Sequence, residues 1–156
     1  MEINDEHQHK SFVELGNARI DEQRQVMETI QDRQECPFCP ENLDKYHRAE
    51  IIRKGALWVL TRNQWPYENT TEHLLAIATY HAETIADLRE GSFDELQGHM
   101  TWAEKELDIK SGAVALRFGD ISQNGATVNH LHAHIIAPTP HTKETAVNKK
   151  VRFKIW

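Results

Sequence analysis

The chain has 156 residues, of which 39% are hydrophobic and 27% charged. That is enough apolar material for one packed domain and too much for a disordered chain. With 18 Lys and Arg against 24 Asp and Glu, the formal net charge is −6, which argues against nucleic acid as a partner. No apolar run approaches the roughly 18 residues of a membrane span, and the opening MEINDEHQHK lacks the basic-then-apolar pattern of a signal peptide. The expected setting is cytoplasmic, with no membrane contact.

Residues 1–10 are polar and read as a frayed end. Over 11–34, Phe12, Leu15, Ile20, Val26, Met27 and Ile30 recur at helical spacing among Glu, Arg and Gln. The stripe is thin, so this helix should pack on another element or lie at a subunit interface. Cys36 and Cys39 follow in Cys-Pro-Phe-Cys, which is either a redox pair or half of a zinc site. A redox motif belongs between a strand and a helix. This one follows a polar helical run and precedes a charged loop, so zinc is preferred if two further ligands exist.

Strands are expected over 50–53 and 57–61, turning at Lys54-Gly55. A turn-rich loop over 63–72 leads to His73, which opens a short strand over 74–78. One helical turn is expected over 84–88. A helix follows over 92–107, with Phe93, Leu96, Met100, Ala103 and Leu107 on one side; Ser92 is its N-cap and Glu95 completes a capping box. A strand over 113–118 and a polar loop over 119–125 precede the strongest strand, 127–137, which Pro138 and Pro140 stop. Residues 151–156 alternate apolar and basic side chains like a final strand.

The most informative segment is His130-Leu-His-Ala-His134. Alternate side chains of a strand share a face, so His130, His132 and His134 should point one way while Leu131, Ala133 and Ile135 enter the core. Three imidazoles in a row can handle protons near neutral pH, bind a metal, or hold phosphate oxygens. Cys36-Pro-Phe-Cys39, Asn63, Pro66, the His73-Leu-Leu-Ala-Ile run, His81 and Gly125-Ala-Thr-Val-Asn-His-Leu-His-Ala-His134 stand in an order that resembles the histidine-triad (HIT) superfamily of nucleotide hydrolases and transferases. The nearest flavour resembles bacterial HIT-like proteins and diadenosine tetraphosphate hydrolases and phosphorylases. Residues before Cys36 lie outside the match, so the chain divides into an N-terminal helical extension (1–35) and a HIT-like domain (36–156).

The resemblance implies an α+β fold: an antiparallel sheet of about five strands, two main helices and the extra N-terminal helix. It implies a nucleotidyl hydrolase or transferase acting on dinucleoside polyphosphates, phosphate esters or phosphoramidates through a covalent nucleotidyl-histidine on His132. His134 would donate to the oxygens where charge builds, with His130 completing the triad. Asn63, His73, Gln123, Asn124, Gly125 and Thr127 would bind substrate. Cys36, Cys39, His81 and His130 would form a structural zinc site, with His47 a rival ligand. His7, His9, His99 and His141 are expected at the surface. The family commonly forms homodimers, which exposed Trp102 and Trp156 would suit. The alternative is a zinc-containing module that binds nucleotides or a protein without turnover.

Overall fold

The computed structural model describes residues 11–156; the expected frayed end, with His7 and His9, lies outside them. Five strands form one antiparallel sheet in the order β1-β2-β3-β5-β4. They are β1 (Ile51–Lys54), β2 (Trp58–Arg62), β3 (Thr70–Ala78), β4 (Ala113–Leu116) and β5 (His132–Pro138). Four helices accompany them: α1 (Asp21–Arg33), α2 (Pro40–Tyr46), α3 (Ser92–Glu106) and the single turn α4 (Ile121–Asn124).

The register explains why the centre of the sheet is apolar on both faces. Leu75 stands opposite His134 and Ile77 opposite His132, and opposed residues share a face. Leu74, Ala76, Ala78, Ala133 and Ile135 therefore face the other way, where they pack with Leu96 and Ala103 of α3 and with Trp58, Leu60 and Leu131. On the histidine side a smaller cluster, Val13, Met27 and Ile30, packs with Val26, Tyr46 and Val128. The N-terminal segment thus covers the face on which His132 and His134 stand.

Several elements depart from the sequence expectation. Residues 11–20 are not helical. Val13 bridges Val128, a 3-10 turn covers Leu15–Asn17, and α1 starts only at Asp21. The backbone of 12–14 is drawn off by the sheet side of the molecule: Glu14 N donates to Thr127 O and Asn129 N to Phe12 O. The charged segment after Cys39 is helix α2, with Pro40 in its first turn, where a missing N–H costs nothing. β3 begins three residues before His73. β4 ends at Leu116.

The triad strand is shorter than expected and excludes His130. Its partner β3 ends at Ala78, so the ladder has no rung beyond Ile77 and His132; Leu131 N instead donates to Ala82 O. His99 is buried, not superficial: its Nε2 lies 3.2 Å from Trp58 O and its Nδ1 3.1 Å from an Arg53 nitrogen. Trp102 is half-buried against the core. Residues 151–156 form no strand. They cross the histidine face instead, where Arg117 donates from Nε (2.9 Å) and Nη2 (2.6 Å) to Lys154 O.

Candidate active site

Two neighbouring centres lie on the histidine face. The first gathers Cys36, Cys39, His81 and His130, whose ligand atoms all lie within 4.8 Å of one another. The turn before α2 brings the two thiols together, His81 follows the end of β3, and His130 precedes β5. Cys36 Sγ is 3.3 Å from His130 Nδ1, and Cys39 Sγ is 3.4 Å from His81 Nδ1 and 3.8 Å from His130 Nδ1. Zinc with bonds of about 2.3 Å to sulfur and about 2.0 Å to nitrogen requires tetrahedral edges of about 3.5 Å, so the donor set fits that ion. The outer ring nitrogens are also satisfied: His130 Nε2–H donates to Ala78 O at 2.8 Å, and His81 Nε2 pairs with Glu83 at 2.8 Å. Such partners leave Nδ1 as the free lone pair on each ring. Burial raises both thiols, Cys39 to about 12; a dication supplies the charge that opposes this. His47 is not part of the cluster, since its Nε2 lies 2.8 Å from Thr61 Oγ1.

The second centre is a cavity of about 330 Å³ bounded by His132, His134, Asn63, Gly125 and Thr127 on the sheet side. Val26, Met27 and Ile30 of α1, with Phe38, Tyr46 and Trp65, form its apolar half. Arg19, Arg117, Arg152 and Lys154 form its charged half. His132 Nδ1–H donates to His130 O at 2.7 Å, so its Nε2 carries the lone pair. Burial pushes His132 down to about 4, which keeps the ring neutral at pH 7. Phe38 sits edge-on to both His132 and His130, with ring centres 5.2 and 6.1 Å apart.

A fixed chain of protons leads to His134. Tyr67 N–H donates to His73 Nδ1 at 2.9 Å, so neutral His73 carries its proton on Nε2. That nitrogen is 2.8 Å from His134 Nδ1, which accepts. The proton of His134 is then on Nε2, facing the cavity. Asn63 Nδ2 lies 3.2 Å from His73 Nε2, but one neutral ring cannot accept at both nitrogens, so this approach is a contact. Burial, reinforced by the charges of Arg19, His132 and Arg117, lowers His73 to about 3. Burial and the same cationic surroundings hold His134 well below its ordinary value.

The expected substrate residues divide. Asn63, Gly125 and Thr127 line the cavity, and His73 reaches it through His134. Gly125 closes α4 at φ 78°, and a Cβ there would stand 2.9 Å from Lys154 O. Gln123 and Asn124 do not line the cavity. In α4, Gln123 turns to Ser122 Oγ, while Asn124 donates to Phe118 O and accepts from Ala126 N. Sequence reasoning missed Arg19, Tyr67, Arg117 and the tail residues Phe153 and Lys154. Only the alternating basic residues of 151–156 carried any local signal, and it pointed to a strand.

Comparison with known proteins bears on the fold and the family. No curated protein sequence matches the chain. Among solved structures, a histidine triad protein from Clostridium difficile has a TM-score of 0.52 at 18% identity, covering 69% of this chain and 94% of its own. A zinc-bound histidine triad family protein from Mycobacterium smegmatis has 0.52 at 18%, covering 70% and 78%. A hypothetical protein from Leishmania major has 0.55 at 19%, covering 78% and 80%. These likenesses show the fold. Residues 35–150 match the family model described as "Scavenger mRNA decapping enzyme C-term binding", and with that match over most of its length the chain belongs to that family of the histidine-triad superfamily.

Proposed function

We propose that the protein is a nucleotidyl hydrolase or transferase in which His132 attacks the α-phosphorus of a nucleotide. The observation that carries this reading is the 2.7 Å bond from His132 Nδ1–H to His130 O. It aims a neutral Nε2 lone pair into a cavity that has cations on one side and an apolar wall on the other. A new bond forms from phosphorus to Nε2 as the bond to the leaving oxygen breaks. The Nδ1–H held by His130 O stabilises the resulting imidazolium. His134 Nε2–H and Arg117 donate to the oxygens on which charge accumulates. Water, or phosphate in a transferase, then displaces His132, and the nucleotide is released. The two steps replace one difficult displacement.

The apolar half of the cavity suits a nucleoside. Because α1 forms much of it, the 1–35 extension acts in this reading, through residues between Gly16 and Ile30, to complete the site of the 36–156 domain. Cys36, Cys39, His81 and His130 would hold a structural zinc ion, which supplies a fixed crosslink between the turn before α2 and the start of β5 and so orients the His130 carbonyl. No helix among the described residues is long and apolar enough to cross a membrane.

The test is a panel of dinucleoside polyphosphates, nucleoside phosphate esters and phosphoramidates, with and without phosphate, products identified. Turnover should give a mononucleotide, and denaturing mass spectrometry of a quenched reaction should show one nucleotidyl group on the chain. A folded His132→Asn variant should lose activity by on the order of 10³-fold or more. Full turnover in that variant removes His132 from the mechanism, and nucleotide binding without any turnover leaves the non-enzymatic module.

A further inference from the structure

The loop before the triad, residues 120–129, brings Gly125 and Thr127 to the cavity beside His132. Little within it accounts for its shape. Its one regular element is α4, four residues long, and a single helical turn does not stand by itself. The sheet does not reach it either. The ladder between β3 and β5 ends at the rung of Ile77 and His132, and bonds to Ala78 and Ala82 carry the pairing only as far as Leu131.

The N-terminal segment supplies what the sheet does not. Val13 bridges Val128, with Glu14 N donating to Thr127 O at 3.0 Å and Asn129 N to Phe12 O at 2.8 Å. Asn17 then closes the other end. Its Nδ2 donates to Ala126 O at 2.7 Å and to Ile121 O at 3.2 Å, so both amide hydrogens are spent on one loop. The two carbonyls stand at the first residue of α4 and just past Gly125, so one side chain spans the whole turn. Among the described residues, the main chain of 126–129 bonds only to its own loop and to residues 12–17. Asn17 also lies outside the part of the chain that matches the family model, which begins at residue 35.

Resting on the nucleotidyl-transfer reading, we propose that Asn17 is a positioning residue for the reaction: its amide clasps the 121–126 turn and so sets Gly125 and Thr127 at the cavity. The peptide unit is planar and trans, so holding the Ala126 carbonyl also fixes the plane of the Thr127 N–H. Gly125 precedes it at φ 78°, and glycine itself imposes little preference on the chain beyond it. The bond from Asn17 imposes that direction. Groups around a reacting phosphorus help only if they are already in place, and a displacement of about 1 Å can cost about 100-fold in rate. With both hydrogens spent on carbonyls, Asn17 acts on the reaction through the loop.

The experiment reads the loop and the reaction separately, on the full chain. Amide hydrogen exchange by mass spectrometry reports the loop. Hydrolysis of adenosine 5′-(4-nitrophenyl phosphate), whose leaving group departs without a proton, reports the reaction. Asn17→Leu keeps the shape of the side chain and removes its donors. Asn17 belongs to neither apolar cluster, and Asn17→Ala serves should the leucine not be accommodated. In either variant the amides of 120–129 should exchange about 10-fold faster while those of 70–78 in β3 keep the wild-type rate. kcat should fall by about 10-fold with KM changed much less. Asn17→Gln, which keeps the amide, should recover part of both losses. Unchanged exchange in the loop, or faster exchange with kcat intact, overturns the proposal. So does exchange that rises equally in β3, which makes the role one of general stability, and so does a loss confined to KM. A loop loosened by Asn17→Leu in a chain that turns over no nucleotide keeps the clasp and sinks the catalytic reading. Turnover through His132 with a loop indifferent to Asn17 does the reverse.

Discussion

Each neutral imidazole carries one N–H, so a partner at one end of a row of rings decides where every later proton sits. Here the deciding partner is the Tyr67 main-chain N–H, and His73 transmits its effect to His134. His73 acts as a positioning residue on this account. His73→Phe removes the donor to His134 Nδ1, lets that ring take the other tautomer, and should lower kcat by about 10- to 100-fold with KM changed much less. His73→Gln, which can accept from Tyr67 and donate to His134, should recover part of the loss. Steady-state kinetics of both variants checks this; a loss confined to KM would make His73 a binding residue instead. The histidines were legible in the sequence because strand alternation puts His132 and His134 on one face whatever surrounds them. The place of His130 outside the strand was not, because the end of β3 decides where the alternation stops, although its grouping with Cys36, Cys39 and His81 was. Arg19 and Arg117 were illegible for a related reason. An arginine acquires a role from the rings, carbonyls and missing carboxylates around it, and those come from four separate segments of chain.

Glu95 illustrates the competition between local and tertiary signals at the level of elements. In sequence, Ser92 and Glu95 have the spacing of a capping box. In the structure Gly91 is the N-cap, at φ 82°, and the Glu95 side chain makes no cap bond but turns away from the end of α3. Its carboxylate accepts from Ala56 N (3.2 Å), Leu57 N (2.9 Å) and Trp58 N (2.8 Å), pinning the β1–β2 turn to α3. Burial raises its pKa, but these donors outweigh that and hold it below the ordinary carboxylate value. Glu95→Ala strands three N–H groups and should cost about 2 kcal/mol of stability, read as a lower urea midpoint with an unchanged slope. Glu95→Gln, which keeps one accepting oxygen, should fall between. The helical period of α3 and the hairpin were legible because each is written in its own segment. The contact that joins them was not, since it spans 37 to 39 residues. The tail misled for the same reason: alternation in 151–156 fits a strand, but Arg117 captures Lys154 O and lays it over the cavity instead.

Across the whole molecule, one small cluster ties together regions that the sheet alone does not. Cys36 and His130 are 94 residues apart, and Cys39 and His81 are 42 apart. Without a crosslink, the turn before α2 meets the start of β5 through side-chain contacts such as those of the Phe38 ring with His130 and His132. A metal joining four such ligands closes long loops, and the loop entropy removed from the unfolded chain is correspondingly large; the binding free energy becomes folding free energy. The protein as purified should therefore contain about one zinc ion per chain by elemental analysis. Stripping it with a strong chelator should lower Tm by roughly 10 °C or more, and readdition of zinc should restore it. Cys39→Ser should show the lower Tm without response to chelator. His47→Gln, a buried histidine outside the cluster, should keep both its zinc and its sensitivity to chelator. If the purified chain carries no metal and its Tm ignores the chelator, the four side chains are merely packed together, and the His130 carbonyl that orients His132 must be held by hydrogen bonds such as those of Leu131 N to Ala82 O, Ala78 N to Leu131 O and His130 Nε2 to Ala78 O.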